Sequence, residues 1–168
     1  MKFDIVVVGG GHAGSEASHA ASTMGLKTCM FCMSFSHVGN MPCNPSIGGS
    51  AKGIVVKEID ALGGIMGKVA DQNALQYKML NLSKGPGVHA LRAQADKITY
   101  PKGILKALQE TPNLTLIEQE VVDIIVENGK IGGVLLKDGT KVECKAVILT
   151  TGTYICLLYT SPSPRDGL

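Results

Sequence analysis

The chain has 168 residues, of which 45% are hydrophobic and 18% charged, with a formal net charge of +2. That is enough chain for one domain with its own core and too little for two large ones. So small a net charge selects no partner class, so only local clusters of charge carry information. No apolar run approaches the ~20 residues that cross a bilayer.

Lys2-Phe3-Asp4 lead straight into FDIVVVGG, so no secretory signal is expected. The β-branched run predicts a buried strand over Asp4 to Val8. Gly9 to Gly14 follow at once, then SEASHAASTMG, a helix ended by Gly25, and a second strand over Leu26 to Cys32. This β-α-β unit implies a parallel sheet. Cys29 and Cys32 form a CxxC, but on a strand residues three apart point to opposite faces, which favours core packing over a metal or redox pair. The five cysteines, odd in number and irregular in spacing, point to reduced thiols and a cytoplasmic setting.

Residues 33 to 48 read as a loop, and Ser50 to Ala61 as a helix whose Ile54, Val55, Ile59 and Leu62 share an apolar face. The span 68 to 110 reads as mainly helical, interrupted by SKGPG and Pro101. From Leu114 strands take over, with Asn128-Gly129 and Asp138-Gly139 turns predicting a β-meander. KAVILTT, 145 to 151, reads as a last buried strand stopped by Gly152.

Gly9-x-Gly11-x-x-Gly14 between a strand and a helix is a dinucleotide signature. Its glycines permit the turn, the approach of a pyrophosphate and close helix packing, which nominates Gly9, Gly10, Gly11, His12, Ala13 and Gly14 as cofactor-binding. His12 reads more as a structural loop residue than a catalytic one. The acid that usually holds the ribose ~20 residues downstream is missing, because no Asp or Glu lies between Glu16 and Glu58. A plain NAD dehydrogenase is therefore disfavoured. The order of unit, helical section, meander and strand ending in Thr-Gly resembles the FAD-binding domain of the glutathione-reductase type: an α/β, Rossmann-like fold with a parallel sheet. That resemblance implies that Val121 passes the adenine and that Thr151-Gly152 closes over the nucleotide.

In NMPCNPSIGGSAKG, Cys43 stands between Pro42 and Pro45 and could be a packing residue, a metal ligand or a nucleophile, the metal reading lacking partner ligands. Following glycines, a helix start near Ser50 and Lys52 would favour its thiolate. Between Lys78 and Lys106 six Lys or Arg face one acid, Asp96. A solvated helix face is the ordinary reading of such a run, and an anion or nucleic-acid surface the other, with Lys84 and Arg92 chosen.

GGGHAGSEA, MPCNPSIGGSAKGIVVKEIDALGG and LNLSKGPGVHALRAQADKITY together resemble the N-terminal part of the MnmG (GidA) family, from about Phe3 to Thr153. The resemblance implies an FAD-dependent enzyme that builds a 5-carboxymethylaminomethyl-type side chain on the wobble uridine of tRNA. It further implies NADH and methylene-tetrahydrofolate as co-substrates, an MnmE-type GTPase partner and a homodimer. Cys43 aligns with the family's catalytic cysteine, adding to the uracil ring or acting on a flavin-bound carbon unit. The rival readings are a folate-dependent tRNA uridine methyltransferase-like flavoprotein, a dinucleotide-binding module without chemistry and a general FAD oxidoreductase.

After Thr153 the sequence YICLLYTSPSPRDGL departs from the family, and two Ser-Pro pairs cannot continue a sheet. CLLYTSPSPRD reads like one translation frame of a transposon-derived sequencing adapter. The expectation is a partial FAD-binding domain over 1–154 and a non-native, disordered tail over 155–168, inactive alone because the remaining flavin contacts and later domains are missing. The other reading is a genuine divergent C-terminus.

Overall fold

A computed structural model describes residues 1–42 and 44–152. The expectations for Cys43 and for the tail 155–168 lie outside the described residues.

Four strands form one parallel sheet: β1 (Ile5–Val8), β2 (Thr28–Cys32), β6 (Leu114–Glu118) and β10 (Ala146–Leu149), in the order β10-β1-β2-β6. Helix α1 (His12–Thr23) connects β1 to β2. Alternation along the central strands sorts their side chains onto two cores. Val7, Met30 and Cys32 pack with Tyr100, Ile104 and Leu108 of helix α4 (Thr99–Gln109). Val6, Cys29 and Phe31 pack on the other face against Val134, Leu136 and Val142. Those three come from a meander of β7 (Val121–Glu127), β8 (Lys130–Leu136) and β9 (Lys141–Glu143). Asn128 (φ 51°) and Gly129 (φ 73°) supply the two positive φ angles that a tight hairpin of right-handed strands requires. The CxxC thus diverges as its spacing predicts, one sulfur to each core.

The middle of the chain corrects the expectation of a mainly helical 68–110. Helix α3 (Met66–Gln72) is followed by β4 (Ala74–Leu80) and β5 (Ala90–Ala95), an antiparallel hairpin. β3 (Ser46–Gly48), inside the segment expected to be a loop, pairs with β5 to complete a second sheet, β3-β5-β4. Ala, Leu, Gln, Lys and Met in β4 and β5 are good helix formers, but pairing and the burial of Ala93 and Ala95 outweigh so weak a preference.

Helix α2 (Lys52–Ala61) falls where expected, but its apolar face is not in the core. Ile54, Val55 and Leu62 are 60%, 54% and 90% exposed. It is Val56 that packs on the first core. β10 is likewise less buried than its composition suggests: among the described residues it pairs only with β1, and Leu149 is exposed.

Candidate functional site

The chain turns sharply at the end of β1. Gly9 has φ +114°, and its backbone N–H donates to the Phe31 carbonyl at 2.8 Å. A Cβ at Gly9 would strike the Thr150 carbonyl, and one at Gly14 would strike the Gly9 carbonyl, so the helix start, the turn and the end of β10 interlock without room for side chains. Gly10 lies against Val38 and Cys32, whereas a Cβ at Gly11 meets nothing within 4 Å. Gly11 therefore faces the open side of the turn. It is also the N-cap of α1, without a side-chain cap and with no acid in the first turn, so the N–H groups of His12, Ala13 and Gly14 are left for an outside acceptor. This cradle fits the pyrophosphate of a dinucleotide.

Thr150, which the sequence pattern passes over for Thr151-Gly152, locks the cradle. Its hydroxyl lies within donating distance of the Val8 and Gly9 carbonyls, at 3.0 and 3.1 Å.

His12 is the first residue of α1 rather than a loop residue. Its ring stacks on Tyr100 at 5.8 Å between centroids, and its buried Nε2 has no hydrogen-bond partner among the described residues. Burial holds the imidazole below its ordinary pKa, with Lys52 adding to the effect and the Glu16 carboxylate opposing it. His12 borders a cavity of about 420 Å³ also lined by Asn40, Pro42, Asn44, Ser46 and Lys52. Glu16 is not singled out by the motif, yet its carboxylate accepts from the backbone N–H groups of Ile65 (3.1 Å) and Met66 (2.6 Å), capping α3 from a distant helix.

Pro42 and Asn44, which flank Cys43 in the chain, both line this cavity. The Lys97 ammonium donates to the Pro42 carbonyl at 3.3 Å, a second cation beside the loop that sequence spacing does not reveal. Cys29 and Cys32 offer no comparable chemistry, since burial pushes their thiols up to about 12 and about 11. Among the described residues no three His, Cys, Asp or Glu side chains cluster as metal ligands.

Val121 opens β7, the first strand of the meander, and is half-buried against the second core. Lys84 lies in the exposed connection of the β4–β5 hairpin, and Arg92 on β5 stands directly across from Lys78 on β4. Like charges facing each other across strands are unfavourable without a counter-ion. Neither cation has an acidic partner among the described residues.

The family model "Glucose inhibited division protein A" matches residues 4–162. The tRNA uridine 5-carboxymethylaminomethyl modification enzyme MnmG of Caldicellulosiruptor saccharolyticus is 53% identical over 154 residues, 92% of this chain and 25% of that protein. The protein of the same name from Acholeplasma laidlawii is 56% identical over 155 residues. The form I crystal structure of Aquifex aeolicus GidA superimposes with a TM-score of 0.88 at 54% identity, covering 91% of this chain and 26% of that one. The GidA-related protein of Thermus thermophilus shares the fold at 14% identity, with a TM-score of 0.63 over 90% of this chain and 54% of its own. This chain spans about a quarter of the length of the curated relatives it matches. A match over nearly the whole chain, in sequence and in fold, makes it a member of the glucose inhibited division protein A (GidA, MnmG) family.

Proposed function

We propose that this chain is the FAD-binding portion of an enzyme that builds the 5-carboxymethylaminomethyl-type side chain of the tRNA wobble uridine. The observation that carries the reading is identity above one half, over 154 residues, to proteins named for that modification. The cradle supports the cofactor: Gly9 to Gly14 would hold the FAD pyrophosphate and Val121 would lie along the adenine. When bound, the flavin supplies redox chemistry. NADH as reductant, methylene-tetrahydrofolate as carbon donor, an MnmE-type GTPase partner, a homodimer and a cytoplasmic setting complete the reading on the strength of the family resemblance.

Cys43 is the nucleophile in this proposal. Two cations near its chain neighbours support this reading: Lys52 lines the cavity that Pro42 and Asn44 also line, and Lys97 donates to the Pro42 carbonyl. Arg92, reinforced by Lys78, and Lys84 would hold tRNA phosphates, which supply the counter-charge that the sheet lacks. Turnover is expected of the longer protein rather than of residues 1–154 alone. The tail 155–168 remains proposed as non-native, although the family match runs on to residue 162.

The test is to purify the full-length protein that carries this segment and record its visible spectrum. Wobble-uridine modification with NADH and the folate donor is then measured for wild type and Cys43→Ser. A flavin band and a modification-dead variant support the reading. A colourless protein overturns the flavin assignment, and undiminished modification removes Cys43.

A further inference from the structure

Dinucleotide folds place an acid at the end of the second strand to accept hydrogen bonds from the adenosine ribose. Here β2 ends in buried Cys32, followed by exposed Met33 and by Ser34, whose hydroxyl is taken up by the backbone N–H and hydroxyl of Ser36. None of these can act as that acid.

The neighbouring strand carries one. β6 runs parallel to β2 in a register that sets Glu118, its last residue, directly across from Cys32. The two strands stay joined to their ends, because the Gln119 N–H donates to the Cys32 carbonyl at 2.9 Å. Cys32 packs against the glycine turn: its Cβ is 3.1 Å from where a Gly10 Cβ would stand. Glu118 therefore sits one strand spacing, ~4.8 Å, beyond a residue that packs on the turn. It lies at the C-terminal edge of the parallel sheet, where α/β folds take their ligands.

Glu118 is exposed and makes no ion pair or side-chain hydrogen bond among the described residues. The nearby acid Glu120 is already committed to Lys137 at 2.7 Å. Nearby Gln119 is committed too, donating to Asp138 at 2.6 Å. Of the three polar side chains that close β6, only the Glu118 carboxylate is available.

We propose that Glu118 is the ribose-recognition residue of this chain, accepting hydrogen bonds from the ribose hydroxyls of the adenosine half of the dinucleotide. The acid missing from the second strand has moved to its neighbour in the sheet. The proposal rests on the dinucleotide reading of the glycine turn. It adds a specificity, since a carboxylate there accepts from a 2′-hydroxyl and repels a 2′-phosphate.

The test is equilibrium binding of FAD, ADP-ribose and 2′-phospho-ADP-ribose to the purified chain, by flavin fluorescence and by displacement. Glu118→Gln keeps the shape and removes the charge. It should weaken FAD and ADP-ribose about tenfold, the size of one charge-assisted hydrogen bond. It should also narrow the preference for ADP-ribose over its 2′-phosphate. Glu120→Gln, which breaks the Lys137 pair, should leave all three affinities unchanged and so separates recognition from loss of local structure. Unchanged affinities in Glu118→Gln, or an equal loss in Glu120→Gln, overturn the assignment. Wild type that binds ADP-ribose but not FAD overturns the flavin reading while the Glu118 comparison stays readable with ADP-ribose. Wild type that binds no adenosine nucleotide overturns both.

Discussion

The Glu16 carboxylate accepts the Met66 backbone N–H at 2.6 Å, joining the first helix of the β-α-β unit to the first turn of α3, fifty positions along the chain. The N-cap of α3, Ile65, has no side chain able to cap, so Glu16 does from α1 what a local Asp or Ser would otherwise do. A carboxylate also suits the positive end of the helix dipole. Glu16→Ala should lower stability by about 1–2 kcal/mol, read from urea unfolding. Glu16→Gln should recover part of that loss. An unchanged midpoint for Glu16→Ala would show that α3 needs no cap from α1.

Two glycines of one motif should fail in different ways. Gly11 faces open space, so Gly11→Ala should keep its unfolding midpoint and lose dinucleotide affinity. At Gly14 the new methyl would strike the Gly9 carbonyl, so Gly14→Ala should cost about 3 kcal/mol of stability, the upper range for overpacking. Urea melts beside FAD titrations distinguish the two. Equal destabilisation by both substitutions would contradict the open and closed sides of the turn.

Thr150→Val keeps the shape of the side chain and removes the hydroxyl that bonds the Val8 and Gly9 carbonyls. The expected cost is about 1–2 kcal/mol. Weaker dinucleotide binding should accompany it, since the turn loses its clasp. Thr150→Ser should stay within about 0.5 kcal/mol of wild type in hydrogen bonding, apart from the lost methyl. A stable Thr150→Val with full affinity would assign the clasp no function.

His12 provides a pH dependence with a definite sign. Burial lowers its pKa below the ordinary 6.5, so the folded state resists protonation more than the unfolded chain does. Its contribution to stability is complete above pH 6.5 and is lost as the pH falls below that value toward the depressed folded pKa. His12→Phe keeps an aromatic ring over Tyr100 and removes the titration. Urea midpoints across this window should fall more for wild type than for the variant, and parallel curves would contradict the assignment.

The thiols of Cys29 and Cys32, held up to about 12 and about 11, should resist alkylation in the native protein at pH 8 and react after unfolding. Peptide mapping of native protein treated with iodoacetamide reads each site separately. Native labelling at either position would contradict the two buried cores.

The β-α-β unit, the glycine turn, the opposed cysteines and the meander were all legible in the sequence. Each is written in local terms: a β-branched run, fixed glycine spacing, strand alternation, or an Asn-Gly pair whose φ angles admit one kind of turn. The β4–β5 hairpin was not legible, because its residues favour helix locally and only their pairing with each other, with β3 added beside β5, makes them strands. The apolar residues of α2 misled for the related reason that composition says a face is apolar and not what it meets. Glu16 at the start of α3, Lys97 at Pro42, Thr150 at Gly9 and Glu118 beside Cys32 are relationships across tens of residues. No spacing rule encodes them, because sheet order and helix packing alone decide which distant side chains share a site. The sequence by itself determined that a dinucleotide turn exists and which family it belongs to; the tertiary structure decided which residues hold that turn shut and which acid stands ready beside it.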